Sequence, residues 1–116
     1  MSDASATLLF CTSYIPSEDA WRARYRPWLD YYERVPLRRA ATYIFDDASP
    51  FRPSDPRLEL EETLPAAPDF SKIRFHRFAT HLGREGLTGH FGWWRSFIYS
   101  LEVARQYGFR RIVHVE

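Results

Sequence analysis

Along this chain, short β-rich apolar runs alternate with stretches whose apolar residues recur at helical spacing. Ala6 to Ser13 is an apolar run with Thr and Phe, too short for a helix and followed by Pro16, so it predicts a buried strand. Ser17 stands in N-cap position, with Glu18 and Asp19 placed against the positive end of the next helix dipole. Trp21, Tyr25, Trp28, Leu29 and Tyr32 then recur at helical spacing. Pro27 inside that pattern predicts a kink or two short helices, with Pro27 opening the second. Ala41-Thr42-Tyr43-Ile44-Phe45 is a second buried strand, ending in Asp46-Asp47. Residues 48–69, rich in Pro, Ser and Asp, predict loop, with room for a turn of helix from Leu58 to Leu64. Ile73 to Phe78 alternates apolar and polar residues, the mark of a half-buried strand near a sheet edge.

A connection punctuated by Gly83, Gly86 and Gly89 leads into the clearest helix of the chain. Phe91, Trp94, Ile98, Leu101 and Arg105 trace one stripe, flanked by Phe97 and Ala104, and Trp93 and Trp94 read as core and cover for the sheet. Gly108 is a natural left-handed C-cap, with Phe109 placed to pack back. Arg111 to Glu116 is the fourth strand. Strand, helix, strand, strand, helix, strand in this order predicts one α/β domain over 1–116: a doubly wound, mostly parallel sheet of about four strands with helices on both faces. Strands one, two and four are nearly continuous apolar runs, as sheets covered on both sides require. Ending at such a strand, the domain is expected to be incomplete at its C-terminus. An unpaired sheet edge there would be a template for self-association.

Composition narrows the class. A chain of 116 residues is one domain at most, and a domain of that size buries about two-thirds of its unfolded surface. An aromatic share of 17% excludes the disordered class. A net charge of +1 supplies no overall field toward nucleic acid or membrane, and Arg22, Arg24, Arg26, Arg38 and Arg39 read as solvated faces. The single cysteine, Cys11, excludes an internal disulfide and fits a reducing compartment; within Leu8-Leu9-Phe10-Cys11 it reads as a small buried apolar residue. The polar N-terminus lacks a signal-peptide pattern. No apolar run approaches the roughly 20 residues of a membrane span, so a cytoplasmic location is expected. No glycine-rich phosphate fingerprint follows strand one, which weighs against dinucleotide or P-loop chemistry. His76, His81, His90 and His114 have no zinc-ligand spacing.

Ligands of such sheets sit at the carboxyl ends of the strands, where the order of connection reverses. Those ends here carry Thr12-Ser13-Tyr14, Asp46-Asp47, the His81-to-Arg84 loop and Glu116. The set suits a nucleotide sugar. Tyr14 can lie against a base and Thr12 can meet its edge. Asp46 or Asp47 can accept from an imide N–H or from ribose hydroxyls, and Arg84 can fork two bonds to a diphosphate. A carboxylate at Glu116 can hold a divalent cation that neutralises the leaving diphosphate. Arg95 is a second basic candidate, with surface pairing as its ordinary role.

The segments Leu8-Leu9-Phe10-Cys11-Thr12-Ser13-Tyr14 and Tyr43-Ile44-Phe45-Asp46-Asp47-Ala48-Ser49, with the helix and strand from Gly89 to Glu116, resemble the N-terminal half of a GT-A-type, family-2-like glycosyltransferase. The resemblance runs in order over the whole chain but rests on short motifs. It implies a Rossmann-like half-domain for a UDP-type nucleotide sugar, with Thr12, Tyr14 and Asp47 on base and ribose, Asp46 supporting the turn and Arg84 on the diphosphate. It places Glu116 at the first position of an Asp-x-Asp-like motif for Mg2+ or Mn2+. The second acidic residue, the acceptor half and the general base lie outside the chain, so no catalytic residue is assigned and the chain alone is expected to be inactive. The loop over 48–69 is longer than that family's usual connection. A truncated nucleotide-binding or interaction module without turnover is the alternative. A flavodoxin-like or nucleotidyltransferase domain is a third.

Overall fold

The structure, a computed structural model, describes residues 6–34, 39–84 and 89–116. Gly86 of the glycine-punctuated connection, Arg38 and the polar N-terminus Met1 to Ser5 lie outside the described residues. Among the described residues five strands form one all-parallel sheet: β1 (Thr7–Ser13), β2 (Ala41–Asp46), β3 (Leu58–Glu61), β4 (Ile73–Arg77) and β5 (Arg111–His114), in the spatial order β3-β4-β2-β1-β5. The expected α/β class with a doubly wound sheet is the architecture found, with one strand more.

The central strands are apolar on both sides because both sides are covered. Cys11, Ile44 and Phe75 face a helical segment that brings Trp21, Tyr25, Trp28 and Leu29. Phe10, Tyr43 and Phe45 face the other way, toward Val103, Phe97 and Tyr99 of α3 (Phe91–Tyr107). The first helical segment begins as α1 (Glu18–Ala20), where the Ser17 hydroxyl accepts from the Ala20 N–H at 3.2 Å. It continues as α2 (Arg26–Arg34) after a π-helical stretch over Trp21–Tyr25. Pro27 stands in the first turn of α2, close to where it was expected to open a second helix, but the join is a π turn rather than a break. The wider π turn sits just ahead of the residue that cannot donate to the helix ladder, and the register is reset there.

Three further expectations are corrected. The segment from Leu58 contains no turn of helix; Leu58–Glu61 is a parallel edge strand. Its presence places β4 one strand in from the edge, paired on both sides. Alternation placed Arg74 and His76 on a solvated face, yet both are buried. Glu61 of β3 makes that possible, receiving the Arg74 guanidinium at 2.7 Å and meeting His76 Nδ1 at 2.7 Å. Finally, β5 is a half-buried strand at the edge of the described sheet, paired with β1, not a strand covered on both sides. It ends at His114, although the Val115 N–H still donates to the Phe10 carbonyl at 3.0 Å.

Candidate functional site

The carboxyl ends of β1, β2 and β5 open onto a cleft of about 450 Å³. It lies at the switch point of the sheet, where the chain leaves β1 toward β2 on one side and β5 lies on the other. Thr12, Tyr14, Asp47, Arg84 and Glu116 all line it; Asp46 does not. An opening of similar volume at the amino end of the sheet is lined by Arg39, Arg57 and Lys72. There, however, Arg57 is already held by Asp55, Asp30 and Glu33 at 2.8–2.9 Å.

Two consecutive carboxylates at the end of β2 have opposite environments. Asp46 is fully buried. Its oxygens accept from the Ser13 hydroxyl at 2.7 Å, the Ser49 hydroxyl at 2.5 Å and the Ser49 N–H at 2.8 Å. Burial pushes its pKa up from the ordinary aspartate value, against the lowering effect of those hydrogen bonds. Ser49 in turn accepts the Ile15 N–H at 2.6 Å, so Asp46 fastens the β1 and β2 ends to one another.

Asp47 points toward the loop after β4. Its carboxylate accepts from the Leu82 N–H at 2.9 Å, the Gly83 N–H at 2.8 Å and the Arg95 guanidinium, and His81 Nδ1 lies 2.8 Å from it. A carboxylate offers about four acceptor positions, and these protein donors fill them. Arg95 is thus not a surface pairing residue; it is partly buried, lies over the Phe78 ring at 4.1 Å, and has its pKa lowered by burial. The N-terminal turn of α3 completes the knot. A Cβ on Gly92 would sit 2.7 Å from an Asp47 oxygen, and the Gly92 N–H donates to the Gly83 carbonyl at 2.9 Å.

The cleft walls carry the remaining groups. The Tyr14 ring is 41% exposed and 4.4 Å from the His81 ring. Its backbone is gripped on both sides by the Tyr25 hydroxyl, which accepts the Tyr14 N–H at 3.1 Å and donates to the Tyr14 carbonyl at 3.2 Å. Thr12 Oγ1 donates to Glu116 at 3.1 Å, and His114 Nε2 is 2.9 Å from the same Glu116 oxygen. Arg24 joins Arg84 on the cleft lining. Arg24 is exposed, as the sequence suggests, but nothing in the pattern announces the π turn that carries it to the cleft. Tyr25 was read only as a packing residue, and its second role as a backbone clamp has no local signature.

No family model, curated protein or solved structure matches this chain. The site therefore rests on its own geometry. Among the described residues, no three or more His, Cys, Asp or Glu come together to hold a metal ion. Glu116 with His114 supplies one carboxylate and one imidazole, whereas Mg2+ is held octahedrally by oxygens, with one or two carboxylates beside waters and phosphate. These residues do not by themselves fit a cation site, and no step is routed through one. Cys11 is buried, with its thiol pKa pushed well up by burial, and takes no part in the cleft. Among the described residues no helix is long and apolar enough to cross a membrane.

Proposed function

We propose that this chain is a glycosyltransferase-like donor-binding domain that takes a nucleoside-diphosphate sugar, UDP-type in the first instance, into the carboxyl-end cleft. One observation carries the reading: five residues selected by their chemistry, from four separate segments, line one cleft at the switch point of a parallel sheet. The exposed face of Tyr14 receives the base, with Thr12 at its edge. Arg84, joined by Arg24, receives the diphosphate as a bidentate anion partner. Asp47 acts through the loop it orders, because its acceptor positions are already taken. Asp46 holds the β1 and β2 ends at the right separation. Transfer to an acceptor needs a general base, and no residue of this cleft is assigned that role.

The experiment is calorimetric titration of the protein with UDP and with UDP-sugars, with and without Mg2+ or Mn2+. Weak saturable binding of UDP is expected. Tyr14→Ala and Arg84→Ala should each weaken it about tenfold or more, the scale of a lost charge-assisted or stacking contact. Asp47→Ala should abolish it by releasing the loop over 81–83. Affinities equal to the parent protein in all three variants would refute the reading. If Mg2+ or Mn2+ strengthens UDP binding and Glu116→Ala removes that gain, Glu116 is a cation ligand. No gain assigns it only to its hydrogen bonds with Thr12 and His114.

A further inference from the structure

Helix α3 packs Phe97, Tyr99 and Tyr107 toward the sheet but turns a second row of large apolar side chains away from it. Its buried side is Gly92, Ser96, Ser100, Val103 and Ala104. Phe91, Trp94, Ile98 and Leu101, by contrast, are 48%, 54%, 63% and 62% exposed. This overturns the expectation that the stripe and Trp94 cover the sheet. The stripe advances by three, four and three residues, and Arg105 continues it by four. Such alternation is the 3.5-residue seam along which one helix packs on another. The outward row presents roughly 450 Å² of apolar surface, a size at which patches on single domains are often functional. Two such rows face to face remove at most about 900 Å² from water, the low end of a weak, reversible protein interface.

We propose that α3 is a self-association surface on which a second copy of this chain lays its own α3 antiparallel. The row is self-complementary in that direction. Ile98 meets the partner's Leu101, and Trp94 meets the partner's Arg105 in a cation–π contact. A parallel pairing would instead set the two Arg105 side chains against each other, at a cost from like charges. Antiparallel packing also brings opposite ends of the two helix dipoles together. The contact is isologous, so it closes at a dimer and does not propagate.

Sedimentation velocity over a wide range of protein concentration tests this. A monomer–dimer equilibrium is expected, with a Kd on the order of 10–100 μM as befits a small interface. Ile98→Asp and Leu101→Asp should each raise Kd at least about tenfold, one lost hydrophobic contact and more. Both side chains are exposed, so far-UV circular dichroism and Tm should match the parent protein. Arg105→Glu should weaken the dimer less. A monomer at every concentration overturns the proposal. So does a dimer untouched by Ile98→Asp, the outcome if copies meet along β5. A monomer that co-sediments with phosphatidylcholine vesicles would assign the row to a lipid surface and overturn it equally.

Discussion

At the scale of single residues, the two aspartates at the end of β2 show how little separates a structural role from a site role. Both were legible as a strand-end pair. Which of them turns inward was not, because that depends on Ser13 and on the loop after β4, both remote in sequence. Ser49 is the sensitive partner, since its hydroxyl donates to Asp46 and accepts from the Ile15 N–H. Ser49→Ala leaves both groups short inside the protein and is expected to cost about 1–3 kcal/mol in urea unfolding. Asp46 itself gives a pH signature. Its folded pKa is raised, so its contribution to stability is complete below the ordinary aspartate value and is lost as pH rises through the folded value. The stability of the parent protein relative to Asp46→Asn should therefore fall between acid and neutral pH. A difference independent of pH would show that Asp46 is not perturbed.

At the scale of elements, periodicity located the strands and helices well but assigned their faces poorly. β1, β2, α3 and the Gly108 cap emerged where the pattern put them, and Gly108 does adopt a positive φ of 77°. β3 was missed because Leu58-Glu59-Leu60-Glu61 is short, charged and set in a Pro-rich stretch. Its strand character comes from pairing with β4 and from Glu61 closing a buried ion cluster. Removing that carboxylate strands the Arg74 charge in the interior. Glu61→Ala is thus expected to cost about 3–5 kcal/mol, whereas a mutation of exposed Glu59 should be nearly silent. α3 was misjudged for the opposite reason. Its large side chains looked like the core face, yet its small ones let the helix approach the sheet and the Asp47 carboxylate closely. Gly92→Ala forces a methyl against that carboxylate and should destabilise by about 1–3 kcal/mol, as overpacking does. It should also weaken UDP binding, because the loop over 81–83 hangs on the same group.

At the scale of the molecule, strand order was the part that local pattern could not supply. The sequence supports a doubly wound class, but the place of β3 at one edge and β5 at the other is decided by long-range pairing. The same pairing assembles the cleft, since its lining residues come from the end of β1, the π turn, the end of β2, the loop after β4, the start of α3 and Glu116 beyond β5. The order also imposes a timetable. β1 is flanked by β2 and β5, and its contact with β5 joins Thr7 to Arg111. The strand made first cannot complete its hydrogen bonding until nearly all the rest of the chain has been made. Folding should accordingly be slow for a domain of this length, in milliseconds to seconds, as for chains dominated by remote contacts. Stopped-flow refolding followed by tryptophan fluorescence would measure it, and microsecond folding would contradict it. Until β5 arrives, one side of β1 stays open, and for that interval a strand that ends up inside the sheet is its edge.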